Sequence, residues 1–366
     1  MLRGHLKCSL PVEVVYFGKE ERVEPVASLL EKEDAVRLID GAAARLPGPP
    51  HPDMKLTGGF HAKAFALCYV TSFQQVVMLD ADSMPVADPG LLFDSPQFKE
   101  HGSLVWADFW TREWMKPEAY TMFGLMPPWE GDKSWREAES GQLLLDRSRH
   151  ADVIEWIWFL NSHKDVIYKL MNGDKDTYRL AFLLAGKSRD FYSVPELPRD
   201  GMRRVPGHKH EYHHKGMLQM TPDGRPAFFH RTAFNSKFFA DCLTDDKDMP
   251  RVDLITVPLT PAQMKDSYKQ HLFAWDSGRV DAGAWAAKCP RGGGAAHDPD
   301  RPDAHCHKEL GVGADTFPIP AIPVEEFKSL APALEASYKV FQGVRKDLGL
   351  RRRRAAARRA LLRLPA

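Results

Sequence analysis

Short apolar segments alternate with longer segments of helical spacing along the first 230 residues. The short segments are rich in β-branched and aromatic residues, and the longer ones repeat apolar residues every three or four positions. Strands are predicted at 10–17, 74–79, 103–110, 139–148 and 225–231, and helices at 23–40, 61–72, 91–102, 151–171 and 174–186. This alternation favours an α/β fold with a mostly parallel, Rossmann-like central sheet flanked by helices.

The patterning weakens beyond about residue 245. A stretch rich in Gly, Pro and Asp near 289–316 lacks a core-forming pattern, and the last 16 residues contain seven arginines and no acid. We therefore expect a catalytic domain at 1–245, an appendage at 246–340 with a disordered loop, and a basic tail at 341–366. Because the whole chain carries +1 and its last 16 residues carry +7, the rest carries −6. An acidic body does not favour nucleic-acid binding.

The cysteines and the apolar runs exclude several classes of protein. The five cysteines form no CxxC pair, so neither a zinc ribbon nor a disulfide scaffold is indicated. No signal peptide is visible, and no run approaches the ~18 apolar residues that a membrane span needs. We expect no membrane span in the chain as written.

Two carboxylates, Asp80 and Asp82, directly follow the apolar segment VVML. Ligands of parallel α/β sheets bind at the carboxyl ends of strands, and the i+2 spacing returns the second carboxylate to the same side. Such oxygen ligands suit Mn²⁺ or Mg²⁺ and leave coordination positions for the diphosphate of a nucleotide sugar. The simpler alternative is that Asp80 caps a turn and Asp82 is only solvated.

A second enzyme class also has a DxD motif after an apolar strand. Haloacid-dehalogenase-like phosphohydrolases use the first Asp as a nucleophile, and the segment 172–176 could imitate their later acidic motif. Met84 stands where those enzymes usually have Thr or Val, and an αβ pattern precedes a motif that normally opens their domain. Both features count against this alternative, which stays open.

Five motifs occur in a characteristic order along the chain: FQQVVMLDADSMPVADPG, SLVWADFW, EAESGQLLLD, NGDKDTYRLAF and MLQMTPDGRPAFFHR. Over about residues 2–237 they resemble the fungal Golgi α-mannosyltransferases of glycosyltransferase family 71. The resemblance implies a GT-A fold, GDP-mannose as nucleotide-sugar donor, Mn²⁺ or Mg²⁺ at the DxD motif, and transfer that retains the anomeric configuration. It also implies a glycan or glycoprotein acceptor and residence in the Golgi.

The resemblance assigns roles to further side chains. His230 lies where related enzymes often have a third metal ligand, and Lys63 matches a lysine that could contact the donor. A core histidine and a helix-surface lysine are the alternatives. The ESGQ motif contributes Glu139, a candidate catalytic carboxylate, and Gln142, an amide suited to hydrogen-bonding sugar hydroxyls. Without the resemblance, ESGQ would read as an ordinary loop with a small flexible turn.

Three more aspartates belong to the predicted site. Asp174 and Asp176 lie at a predicted helix start, where acids often only stabilise the helix dipole. With the resemblance, Asp176 is expected to face the reacting sugar as a catalytic residue, and Asp174 to contact the donor. Asp108 resembles a family aspartate that follows a strand, beside aromatic residues that could stack on a sugar, although core packing is expected for Trp106. No catalytic base is assigned, because retaining transfer can proceed by front-face attack.

Two histidine-rich stretches are not expected to bind metal. GHKHEYHH at 207–214 has a loop setting without cysteine partners and is expected to be solvated, and the same holds for HCH at 305–307. The chain also departs from the family pattern at its start, since a membrane anchor, a stem and a first strand usually precede the segment that here follows Met1. We therefore also consider an inactive truncated glycosyltransferase that keeps the fold.

Overall fold

The computed structural model describes residues 1–22, 24, 26–44, 59–110, 114–132, 134–204, 212–230, 254–256, 321–324, 330–336 and 339. The strands are β1 (Val12–Tyr16), β2 (Val36–Asp40), β3 (Gln75–Leu79), β4 (Ser83–Pro85), β5 (Ser103–Ala107), β6 (Ala138–Asp146), β7 (Arg199–Arg204), β8 (Tyr212–Met220), β9 (Pro226–His230), β10 (Leu254–Thr256) and β11 (Ala321–Pro323). The main helices are α1 (Val26–Leu30), α2 (Phe60–Phe65, continued by a π-helical turn to Val70), α3 (Gly90–Phe93), α4 (Pro96–His101), α5 (Glu118–Thr121), α6 (Ala151–Ser162), α7 (Lys164–Ile167) and α8 (Thr177–Leu184). In the part of the chain that is described, every helix is too short or too polar to cross a bilayer.

The chain has a mixed α/β fold, but its sheets are small and mostly antiparallel. The prediction of a mostly parallel central sheet is therefore wrong. Among the named strands, the pair of β1 and β2 is parallel, whereas β6 lies between β3 and β5 and runs antiparallel to both. The largest sheet has the order β11-β10-β7-β8-β9-β4, and all of its pairs are antiparallel.

Several predicted elements differ from the structure. The helices predicted at 91–102 and 151–171 are each divided, into α3 and α4 and into α6 and α7. The segment 23–40, predicted as one helix, forms α1 and then β2. Ala35 between them has a left-handed φ of 52°, and its carbonyl accepts a hydrogen bond from Val12 at 2.8 Å, so pairing with β1 overrides the local helical spacing. The prediction of a loop at 207–214 is wrong for residues 212–214, which begin β8. Residues 207–211 and 305–307 lie outside the described residues.

The two faces of the β3-β6-β5 sheet are covered by different parts of the chain. Because side chains alternate along a strand, Leu143 and Leu145 of β6 pack with Ile157 of α6 on one face. Leu144 packs on the other face with Trp106 and with residues of β9. The Trp106 indole is fully buried and donates a hydrogen bond to a β8 carbonyl at 2.6 Å. Core packing of Trp106 is thus confirmed, and this contact joins the two larger sheets.

Some residues beyond 245 contribute to the core of the six-stranded sheet. Ile255 of β10 is fully buried and packs with Leu218 and Phe229. Val324 and Leu330 belong to the same cluster. The predicted domain boundaries stay a prediction, and the segments 289–316 and 341–366 lie outside the described residues.

Candidate active site

A tight turn between β3 and β4 carries the two DxD carboxylates. The Asp80 N–H donates to the Gly141 carbonyl at 2.8 Å, and the Ser83 N–H donates to the Asp80 carbonyl at 2.9 Å. Strand β4 pairs with β9 so that Ser83 lies opposite His230. One ligand atom from each of Asp80, Asp82 and His230 therefore lies within 4.8 Å of the others. Residues 148 positions apart in sequence meet in one site.

The ring of His230 lies between two carboxylates. Its Nε2 lies 3.2 Å from Asp82 Oδ1, and its Nδ1 lies 3.1 Å from Glu139 Oε1, although the Nδ1–H direction is not aligned with that oxygen. Burial alone would lower the pKa of His230, but the contacts with Asp82 and Glu139 outweigh burial and raise the pKa to about 10. His230 is thus a buried histidine whose ring faces the DxD motif.

Glu139 and Gly141 lie inside β6 and shape the space beside His230. Burial would raise the pKa of Glu139, but the His230 ring and the Gly141 N–H, which donates to Oε1 at 2.6 Å, lower it to about 2. A Cβ added to Gly141 would collide with the His230 ring and lie 2.9 Å from Glu139 Oε1. A glycine inside a strand often marks such a close approach. Gly141 is therefore the residue type that leaves room for His230.

Lys63 of α2 reaches the first DxD carboxylate from the other side. Its Nζ lies 3.1 Å from Asp80 Oδ1 and 3.2 Å from Asp174 Oδ2. It also donates to the carbonyl and the hydroxyl of Ser140, at 2.9 and 3.0 Å. Burial would lower the pKa of Lys63, but the carboxylates of Asp174 and Asp80 raise it above its ordinary value. Lys63 is a charged interior side chain rather than a helix-surface lysine.

Asp174 holds Lys63 at the start of α8. Its backbone carbonyl accepts the Thr177 N–H at 2.9 Å, which begins the helix. Its side chain turns inward, where it accepts hydrogen bonds from Tyr178 Oη at 2.9 Å and Ser140 Oγ at 3.3 Å. Burial raises the pKa of Asp174, and Lys63 acts in the opposite direction. The predicted donor-binding aspartate thus contacts a lysine and two hydroxyl groups.

Asp108 lies in a neighbouring group of buried charges with Lys175 and Glu137. Lys175 Nζ lies 2.7 Å from Asp108 Oδ2 and 2.5 Å from Glu137 Oε2. Glu137 is fully buried, and burial raises its pKa to about 7 although Lys175 acts in the opposite direction. The carboxylate of Asp108 is therefore held by Lys175 at the ends of β5 and β6.

Asp176 is fully buried. Its Oδ1 accepts the Ala138 N–H at 3.0 Å and lies 4.0 Å from Arg179 Nη1. The other oxygen, Oδ2, has no hydrogen-bond partner in the described part of the chain, and burial raises the pKa of Asp176. These contacts join the start of α8 to β6, and the predicted role of Asp176 facing the sugar stays a prediction.

Gln142 of β6 contacts Ser83, the residue that follows the DxD motif. Its side chain is fully buried, and its Oε1 accepts a hydrogen bond from Ser83 Oγ at 3.1 Å. Its amide nitrogen has no partner among the described residues. This geometry ties β6 to the first residue of β4 and gives Gln142 no opening toward solvent.

Six of the predicted site residues form one connected cluster, hereafter the DxD cluster. They are Asp80, Asp82, His230, Glu139, Lys63 and Asp174. Sequence reasoning missed the roles of Ser140, Gly141 and Lys175. The position of Gly141 inside a predicted strand was a usable signal for a close approach, whereas the contacts of Ser140 and Lys175 depend on chain pairing.

The DxD cluster fits a divalent cation of the Mn²⁺ type. Carboxylate oxygens and an imidazole nitrogen are a suitable donor set for Mn²⁺. The four carboxylates face one ammonium and one imidazole, so they exceed the nearby positive groups by two with His230 protonated and by three with it neutral. This negative excess would attract a cation into the turn.

Comparison with known proteins matches a region that contains five of the six residues of the DxD cluster, and His230 lies beyond its end. The mannosyltransferase family model Mannosyl_trans3 matches residues 1–137 and 128–221. Among curated proteins, alpha-1,2-mannosyltransferase MNN22 of Candida albicans is 28% identical over an alignment of 220 residues, and the match covers 49% of this chain and 36% of that protein. MNN24 of the same organism is 28% identical over an alignment of 202 residues, and the match covers 45% of this chain and 27% of that protein. Alpha-1,2-mannosyltransferase MNN5 of Saccharomyces cerevisiae is 37% identical over 79 residues, 22% of this chain and 13% of that protein. The matches thus span about a third of these relatives or less.

Proposed function

Because the chain belongs to the mannosyltransferase family described by Mannosyl_trans3, we propose that it transfers mannose from GDP-mannose to a hydroxyl group of a glycan or glycoprotein. We infer that the transfer retains the anomeric configuration and takes place in the Golgi. The observation that carries the proposal is the convergence of Asp80, Asp82 and His230, whose ligand atoms lie within 4.8 Å of one another. Curated relatives named as alpha-1,2-mannosyltransferases support the same class of reaction.

Asp80, Asp82 and His230 are the residues that would hold Mn²⁺ or Mg²⁺. A bound divalent cation would neutralise the donor diphosphate and the charge that develops on the departing GDP. The two carboxylates are half-buried and the imidazole is buried, so the ligand atoms lie at the edge of the protein interior. This arrangement leaves one side of the DxD turn for a donor.

Lys63 would supply a second positive charge to the donor diphosphate. Its side chain is 14% exposed, and Ser140 and Asp174 fix its Nζ next to Asp80. A lysine ammonium binds phosphate as a point charge, and a fixed charge needs no reorganisation when the leaving group forms. We therefore assign Lys63 to donor binding and Asp174 to holding Lys63 in place.

We also propose a GT-A fold for the catalytic domain. The mixed α/β architecture supports it, as does the location of the DxD motif immediately after β3. The antiparallel strands β6 and β9 contribute Glu139 and His230 to the same site. The fold proposal thus rests on the position of the motif and not on the direction of most strands.

The direct test incubates the purified chain with GDP-mannose, Mn²⁺ and a mannose-bearing acceptor. We expect release of GDP and an acceptor heavier by one hexose, both abolished by EDTA and by Asp82→Asn. Absence of transfer and of GDP release by a folded chain would support the inactive alternative. Hydrolysis of a simple phosphate ester that Asp80→Asn abolishes would instead support the phosphohydrolase alternative.

A further inference from the structure

We propose that Glu139 is a positioning residue that orients the ring of His230, so that Nε2 faces the cation held by Asp80 and Asp82. The inference rests on the proposed metal site and deepens it. Glu139 would act through His230, which differs from the catalytic role that sequence comparison suggested for it.

The position of the ring supports this role. Nδ1 of His230 lies 3.1 Å from Glu139 Oε1, and Nε2 on the other side of the ring lies 3.2 Å from Asp82 Oδ1. A neutral imidazole carries its proton on one nitrogen and a lone pair on the other. If Nδ1–H faces Glu139, then Nε2 is the nitrogen free to bind a cation. Metal-bound histidines usually donate their second N–H to a carboxylate or a carbonyl in this way.

Glu139 is itself held in place. Its Oε1 accepts the Gly141 N–H at 2.6 Å, and the side chain is buried against solvent. The carbonyl of the same Gly141 accepts the Asp80 N–H at 2.8 Å. One residue of β6 therefore bonds both the carboxylate of Glu139 and the backbone of the DxD turn.

Two other roles for Glu139 fit the geometry less well. Among the described residues, the group whose ligand atoms lie within 4.8 Å of one another contains Asp80, Asp82 and His230 but not Glu139. A fourth direct ligand is thus disfavoured. A catalytic role is disfavoured because Oε1 already contacts Gly141 and His230.

The Nδ1–H of His230 does not point directly at Oε1 in the structure. Hydrogen bonds in functional sites often tighten when the ligand binds. We therefore expect this contact to align when a cation occupies the site. The tautomer of His230 in the cation-bound protein then tests the proposal.

The first experiment measures Mn²⁺ affinity by electron paramagnetic resonance in the wild-type chain, Glu139→Gln and Glu139→Ala. The alanine variant should bind about 10- to 100-fold more weakly, as is typical when the orienting partner of a ligand is removed. The glutamine variant should stay close to wild type, because its amide oxygen still accepts from His230 and Gly141. Glu13→Ala is the control, since Glu13 has a buried carboxylate held by Arg37 and Ser72 and should leave affinity unchanged.

A second experiment needs no variant and so does not depend on the folding of Glu139→Ala. Nitrogen-15 NMR of labelled histidine in the Mg²⁺-loaded wild type should show His230 protonated at Nδ1 and bare at Nε2. Protonation at Nε2, or unchanged Mn²⁺ affinity in Glu139→Ala, would overturn the role of Glu139 while leaving the metal site intact. Absence of Mn²⁺ and Mg²⁺ binding to the wild type would instead remove the metal site, and this inference with it.

Discussion

Lys63 Nζ lies 3.1 Å from Asp80 Oδ1, so the first carboxylate of the DxD motif has a cationic partner within the protein. The contact links α2 to the turn between β3 and β4. The same Nζ lies 3.2 Å from the buried Asp174. We therefore expect the stability of the fold to depend on Lys63. In the proposed function Lys63 also binds the donor, so one side chain would affect both stability and donor binding.

Replacing Lys63 with methionine should destabilise the fold. The substitution leaves Asp174 buried without its cation, and breaking a buried ion pair from one side typically costs about 3–5 kcal/mol. Urea denaturation measures the loss in the free energy of unfolding. Lys99→Met is the matched control, because Lys99 pairs with Asp94 at the exposed surface and should cost about 1 kcal/mol or less. Equal losses in both variants would contradict the structural role of Lys63.

Replacing Gly141 with alanine should damage the site through one methyl group. The added Cβ would collide with the His230 ring, and relieving such overpacking costs about 1–3 kcal/mol. We expect a lower midpoint of thermal unfolding together with weaker Mn²⁺ binding. Gly131→Ala is the control, since a Cβ there meets no atom within 4 Å. A Gly141→Ala variant with wild-type affinity and stability would refute the close approach.

Mn²⁺ binding should release a proton from His230. Its pKa of about 10 in the metal-free chain means that the imidazole is protonated at pH 7, and a metal ligand must be neutral. Affinity should therefore rise with pH between about 7 and 10. The sign for stability is opposite: in the metal-free chain the raised pKa stabilises the fold below about pH 6.5, and this contribution is lost as the pH rises through about 10.

Calorimetry in buffers of different ionisation enthalpy counts the protons released at pH 7. We expect about one proton for the wild type and none from this position in His230→Ala. Wild-type binding without proton release would show that His230 is not a ligand.

The sequence predicted most individual elements of the fold, but not how they pair. The apolar segment before Asp80 forms β3, and 139–148 contains most of β6. Nothing in either segment indicates that they run antiparallel, because buried strands of both kinds read as continuous apolar runs. The β3–β6 register aligns Leu79 with Gln142 and brings Glu139 and Gly141 to the DxD turn. Local sequence patterns could therefore not predict these contacts.

The placement of Asp176 depends on the fold in the same way. The acidic turn GDKDT by itself predicted a capping role, the resemblance implied a side chain that faces the sugar, and the structure directs the carboxylate to the Ala138 N–H. Asp174, two residues earlier, belongs to the DxD cluster through its contact with Lys63. The direction of each side chain follows from how α8 packs and not from the motif.

The buried position of Asp176 leads to a prediction that separates structure from catalysis. Asp176→Asn keeps an acceptor for the Ala138 N–H and should retain transfer within about tenfold of wild type, a change of about 1.4 kcal/mol in the barrier or less. Asp176→Ala leaves that N–H unpaired and should lower stability by about 1–3 kcal/mol. Steady-state kinetics and urea denaturation measure the two effects. Loss of turnover in a fully stable Asp176→Asn variant would support the predicted catalytic role of Asp176.

In the proposed function, Asp80, Asp82 and His230 hold a divalent cation that binds the donor diphosphate. The most direct measurement is calorimetric titration of GDP-mannose into the wild type and Asp82→Asn, each with and without Mn²⁺. We expect the wild type to bind GDP-mannose only in the presence of Mn²⁺, and a folded Asp82→Asn variant to show no detectable binding. Equal affinity of both proteins for GDP-mannose, or affinity independent of Mn²⁺, would contradict the proposed function.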